Sequence, residues 1–84
     1  MLERDVAESV LFRLAVASLG YYPEKTIEEP GYTLDEDLDW CIEPLSDLAA
    51  GYQRALRERM REVIIDPTTH RRAFTRNLLR LVTE

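Results

Sequence analysis

Residues 33–63 read TLDEDLDWCIEPLSDLAAGYQRALRERMREV. Leu34, Leu38, Cys41, Leu45, Leu48 and Tyr52 recur at alternating spacings of four and three, and Leu56, Met60 and Val63 continue the stripe. That spacing puts all of these side chains on one side of an α-helix. Thr33 with Glu36 three residues on has the capping-box spacing, in which hydroxyl and carboxylate each satisfy a free backbone amide. Pro44 interrupts the stripe by removing one helical hydrogen bond and crowding the preceding turn. The stripe nevertheless keeps its phase across Pro44. The sequence therefore predicts one helix over residues 34–65 kinked near Pro44, or two nearly collinear helices split there.

Upstream, a helix is predicted over residues 3–19. Val6, Val10, Leu14 and Ala17 share one face of it, widened by Leu11, Ala15 and Ser18, and Phe12, Val16 and Leu19 form a second apolar face. A helix apolar nearly all round, interrupted here only by Arg13 between Val10 and Leu19, is central to its fold or shared with a partner. Gly20 supplies a stop. Residues 20–33 form a connecting loop, punctuated by Pro23, Pro30 and Gly31. Downstream, Asp66 is a cap and Pro67 fits the first helical position, where its missing amide proton costs nothing. The last helix runs over residues 67–82 with Phe74, Leu78, Leu81 and Val82 on its apolar face, Ala73 beside them, and Ile65 positioned to staple against His70. No stretch alternates with period two for long enough to be a strand. The fold class expected is all-α: a single-domain, small three-helix bundle over residues 1–84, or a four-helix bundle if the middle helix is split at Pro44.

Composition limits what such a body can do. At 84 residues, total stability is roughly 4–13 kcal/mol, which leaves little room for strained catalytic geometry. One cysteine, Cys41, excludes an intrachain disulfide and any zinc site built on several cysteines; one histidine, His70, excludes an intramolecular histidine pair. No apolar run reaches the roughly eighteen residues of a membrane span. The start Met1-Leu2-Glu3-Arg4-Asp5 lacks the basic region of a secretory signal, so a cytoplasmic protein with a reduced thiol is expected.

The net charge of −5 conceals two opposite halves. Residues 1–53 hold twelve acids and three bases; residues 54–84 hold eight arginines and four acids. Halves of this kind can attract each other within one chain or between two. Glu36, Asp39, Glu43 and Asp47 follow at spacings of three or four and share a helix face, with Trp40 on or beside it. A tryptophan among carboxylates suits a protein-binding hot spot, although it can equally fold over the first helix as core. Acids at that spacing stand roughly 5 Å apart along a helix axis, comparable to the ~3.4 Å phosphate spacing of one DNA strand. This is the geometry of a DNA mimic, and any acidic helix would give it. Arg72, Arg76 and Arg80 repeat every four residues on the last helix, with no acid between Pro67 and Thr83. On the long helix, Arg54, Arg57 and Arg61 share a face with Glu58 and Glu62 within pairing distance.

Chemistry is tested and set aside. Asp35, Asp37 and Asp39 imitate the first three ligand positions of a calcium loop, but Trp40 and Ser46 stand where that loop needs glycine and a bidentate glutamate. Cys41 lies on the leucine stripe, which reads as a buried structural thiol, and His70 is the only base that could serve it. No glycine-rich phosphate loop, serine–histidine–acid set or paired-histidine metal spacing is present. No catalytic residue, cofactor or metal site is expected.

The function expected is that of a non-enzymatic, acidic, helical protein-binding module. It would be an inhibitor or adaptor acting on a larger protein, such as one with a basic nucleic-acid channel, through Glu36, Asp39, Trp40, Glu43 and Asp47. A phage-type inhibitor of host defence fits by analogy of size and charge alone. The alternative is a small regulatory nucleic-acid binder using Arg72, Arg76 and Arg80. The wide apolar surface of the first helix adds the expectation of a homodimer through Phe12, Val16 and Leu19.

Overall fold

A computed structural model describes residues 2–20 and 34–82. They form four α-helices: α1 (Arg4–Gly20), α2 (Leu34–Ile42), α3 (Ala50–Ile65) and α4 (Pro67–Leu79), with a 3-10 turn over Glu43–Leu45 between α2 and α3. Among the described residues the only β-type pairing is an isolated bridge between Leu2 and Val82, so the all-α bundle read from the sequence is the fold, in its four-helix form. No described helix is long and apolar enough to cross a membrane. The expected Thr33–Glu36 capping box and the loop over residues 21–33 lie outside the described residues.

The helices meet over one apolar cluster. Ala7, Val10, Leu14 and Ala17 come from α1, Leu38 and Cys41 from α2, Leu45 from the 3-10 turn, Met60, Val63 and Ile64 from α3, and Phe74 and Leu78 from α4. Among the described helices, α1 packs against each of the others, and so does α3. Leu2 closes one end: its amide donates to the Leu81 carbonyl at 2.9 Å, and its side chain is buried. That clasp coincides with an early end to α4, whose last turn tightens through Leu81 N–H to Leu78 O and Val82 N–H to Leu79 O. The helix stops at Leu79 rather than at residue 82 as expected.

The region around Pro44 corrects the collinear arrangement. Arg57 of α3 pairs with Asp39, and Arg61, one turn further on, pairs with Asp35, one turn further back. Ascending positions on α3 meet descending positions on α2, so the two helices form an antiparallel hairpin. Pro44 sits in the first turn of the 3-10 segment, where its missing amide is no loss. Ser46 N–H to Glu43 O and Leu48 N–H to Leu45 O then complete two successive tight turns. Gln53 secures them from within α3: its amide nitrogen donates to Leu48 O at 2.7 Å and to Ser46 O at 3.2 Å. Continuity of phase fails as evidence for a continuous helix because both arms of a hairpin must face the same core. Tyr52 is the exception to the stripe, at 51% exposed. It lies in the first turn of α3, at the hairpin end, beyond the reach of the core.

The α3–α4 junction follows the sequence reading. Asp66 accepts from the Thr69 backbone amide at 3.3 Å and from the Thr69 hydroxyl at 2.6 Å, with Pro67 at the start of α4. Ile65 and Ala73 are exposed, so Ile65 is left without the expected cover and Ala73 stands off the apolar face. His70 turns instead toward α3, its Nδ1 3.6 Å from the Glu62 carboxylate.

Candidate protein-binding surface

Alpha2 begins with Asp35, Glu36 and Asp37, carboxylates favoured at a helix N-terminus by the partial positive charge of its free amides. One edge of the helix is neutralised from within the chain. Arg57 pairs with both Asp39 and Asp35 and donates to the Asp35 carbonyl, while Arg61 approaches Asp35 at 3.2 Å. Both aspartates remain about 70% exposed, so these contacts are fixed by geometry more than by burial. Asp37 points inward enough that burial, with Glu36 beside it, raises its carboxyl above the ordinary range.

Arg13 of α1 organises the other edge. Its Nη1 donates to the Trp40 carbonyl at 2.8 Å, its guanidinium carbon lies 5.1 Å from the Trp40 ring centroid, and it reaches Glu43 at 3.4 Å. A guanidinium over an indole face is attracted by the ring quadrupole. Trp40 is thereby held in place while 39% of it stays exposed. The sequence shows Arg13 only as a break in an apolar helix, and its partner, 27 positions away, is not legible from that break.

Of the five residues expected to form one acidic face, the structure brings Asp39, Trp40 and Glu43 together at the end of α2 and the start of the 3-10 turn, with Glu36 a turn earlier on α2. Asp47 is exposed but lies in the turn after Leu45, so the evenly spaced row of carboxylates expected along one continuous helix is broken there. Cys41 is fully buried beneath this surface. Burial first, and then the charge of Asp37, push its thiol up to about 11 against the opposing pull of Arg13. The thiol is therefore protonated at neutral pH, as suits packing rather than nucleophilic attack. Among the described residues no group of three histidine, cysteine or acidic side chains is placed to hold a metal ion.

The alternative residues lie elsewhere. Arg72 and Arg76 are exposed on α4 with Arg71, and Arg80 is exposed at its C-cap. Arg71, Arg72 and Arg76, with Thr68, Thr75 and Leu79, line a broad open groove along α4. A second, smaller groove of about 280 Å³ lies where α1, α3 and α4 meet, walled by Leu11, Leu14, Ala15 and Val63 and edged by Ser18, Arg71 and Thr75. Phe12, Val16 and Leu19, expected as a dimer face, are 67%, 43% and 70% exposed on the side of α1 away from the core. No protein-family model, curated protein or solved structure matches the chain.

Proposed function

We propose that the protein is a non-enzymatic binding module, an inhibitor or adaptor that docks on a basic surface of a larger protein through the end of α2. The observation that carries this reading is the state of Trp40: half-exposed, held by Arg13, and flanked by Asp39 and Glu43. A large aromatic already fixed in one position loses little conformational freedom on binding, which is what interface hot spots require. Carboxylates outnumber guanidiniums around it. Among the described residues, Asp35, Asp37, Asp39, Glu43 and Asp47 are set against Arg13, Arg57 and Arg61, a negative surplus that favours encounter with a basic partner. A nucleic-acid channel is one basic surface of this kind.

The test is capture of partners from a lysate of the native host by the tagged full chain, with and without nuclease, read by mass spectrometry. The comparison chain carries Trp40→Ala and Asp47→Lys, two exposed positions outside the α2–α3 ion pairs. A stoichiometric protein that survives nuclease and is lost with the double variant supports the reading. A partner held equally by both chains, or no partner at all, overturns it.

A further inference from the structure

We propose that the face shared by α1 and α4 is a second docking surface, and that its occupant is an acidic amphipathic helix of another protein. The surface is a continuous band. Phe12, Val16 and Leu19 run along the outside of α1 at spacings of four and three, the pattern by which one helix offers a seam to another. At about 100° per residue, Arg13 projects to one side of Phe12, toward Trp40, and Leu11 to the other, toward α4. On that second side Ala15 and Ser18 share a groove with Arg71 and Thr75, and these two residues also line the groove that continues to Arg72 and Arg76. An apolar strip thus grades into a guanidinium rim within one helix width.

The rim selects the charge of the occupant. Arg57 and Arg61 on α3 are matched by carboxylates of α2. Arg71, Arg72 and Arg76 make no ion pair among the described residues, and the sequence places no acid on α4. Carboxylates from outside complete them, and bidentate guanidinium–carboxylate pairs give register as well as attraction. The strip selects against nucleic acid, because a phosphate backbone gains nothing from Phe12 or Leu19, whose exposed apolar surface needs an apolar partner. The described helices also select against a second copy as occupant. Alpha2 is the acidic helix of this chain; its Leu38 and Cys41 are buried, and Trp40, its one large exposed apolar side chain, is a single group held by Arg13 rather than a row at helical spacing. A helix with free apolar side chains flanked by carboxylates satisfies strip and rim together.

The test uses fluorescence anisotropy with the full chain and three labelled probes. The first is a synthetic peptide of about sixteen residues, long enough to form a marginal helix, with leucines at helical spacing flanked by glutamates. The second is its twin with lysine for glutamate, and the third a short DNA duplex. The acidic peptide is expected to bind saturably, and the lysine twin and the duplex at least about tenfold more weakly, a difference of about 1.4 kcal/mol. Arg71→Glu with Arg76→Glu, and separately Phe12→Ser with Leu19→Ser, are each expected to weaken the acidic peptide by a similar factor while the helical circular dichroism is retained. Trp40→Ala leaves this binding unchanged, which separates the second surface from the first. Equal binding of the two peptides, tighter binding of the duplex, or indifference to either pair of substitutions overturns the proposal. So does a dimer in light scattering that Phe12→Ser with Leu19→Ser dissociates, since the strip would then belong to a second copy.

Discussion

Arg57 and Arg61 on α3 and Arg72 and Arg76 on α4 are the same residue at the same four-residue spacing, and their surroundings differ completely. The first pair faces α2 across the hairpin and is bound by Asp35 and Asp39. The second pair makes no ion pair with any acid among the described residues. The difference comes from the turn at Pro44. By folding α2 back on α3, it consumes part of the acidic segment on the nearer arginines and leaves the farther ones unmatched. Charge that looks like two opposed halves along the chain becomes, in space, one neutralised seam, one residual acidic end at Trp40, and one cationic face on α4.

The most forceful way to erase this difference is to unseat α2. Leu38 is fully buried between α2 and the rest of the core. Leu38→Ala is expected to cost about 2–5 kcal/mol, a large share of the total stability of so small a body. Urea unfolding followed by circular dichroism measures the loss. A cost under about 1 kcal/mol would mean that α2 is not anchored as described, and the pairing of Arg57 would lose its explanation.

A finer comparison removes one arginine from each set. Arg57→Ala gives up contacts to Asp35 and Asp39 and is expected to lose about 0.5–1 kcal/mol, the usual range for exposed ion pairs. Arg76→Ala is expected to change stability by less than about 0.5 kcal/mol. Repeating both in high salt should shrink the first effect and leave the second where it was. Equal effects for the two variants would show that the pairing in the hairpin contributes nothing particular.

The smallest effect belongs to Asp66, at the junction between the two arginine-bearing helices. Its hydrogen bonds from the Thr69 hydroxyl and amide hold its carboxyl below the ordinary carboxylate range. A depressed folded-state value stabilises the fold above the unfolded value, near pH 4, and that contribution is lost as pH falls through the folded value. Asn at this position still caps but does not titrate. The stability advantage of the wild type over Asp66→Asn should therefore be constant above about pH 5 and shrink below about pH 4. A difference independent of pH down to acid unfolding would count against the charged cap.

Much of this was legible along the chain. The stripe through Leu38, Cys41, Leu45, Met60 and Val63 reads as a buried face, and all five belong to the core. Asp66-Pro67 reads as a helix start and is one, because capping is settled within a few residues. Arg13 and Gln53 were harder. Each acts through a neighbour on another segment, Trp40 across 27 positions and the Ser46–Leu48 turn across the hairpin. Nothing in their own surroundings announces that partner.

The helical class, the inward-facing residues and the α3–α4 junction follow from the order of residues alone, because periodicity and capping are local. Helix packing is what makes Pro44 a reversal rather than a kink, matches Asp35 and Asp39 from α3, and sets Arg71 and Thr75 beside α1. A hydrophobic stripe states which side of each helix faces the core, but not the direction in which the next helix runs. Charges on different helices meet or miss according to that direction.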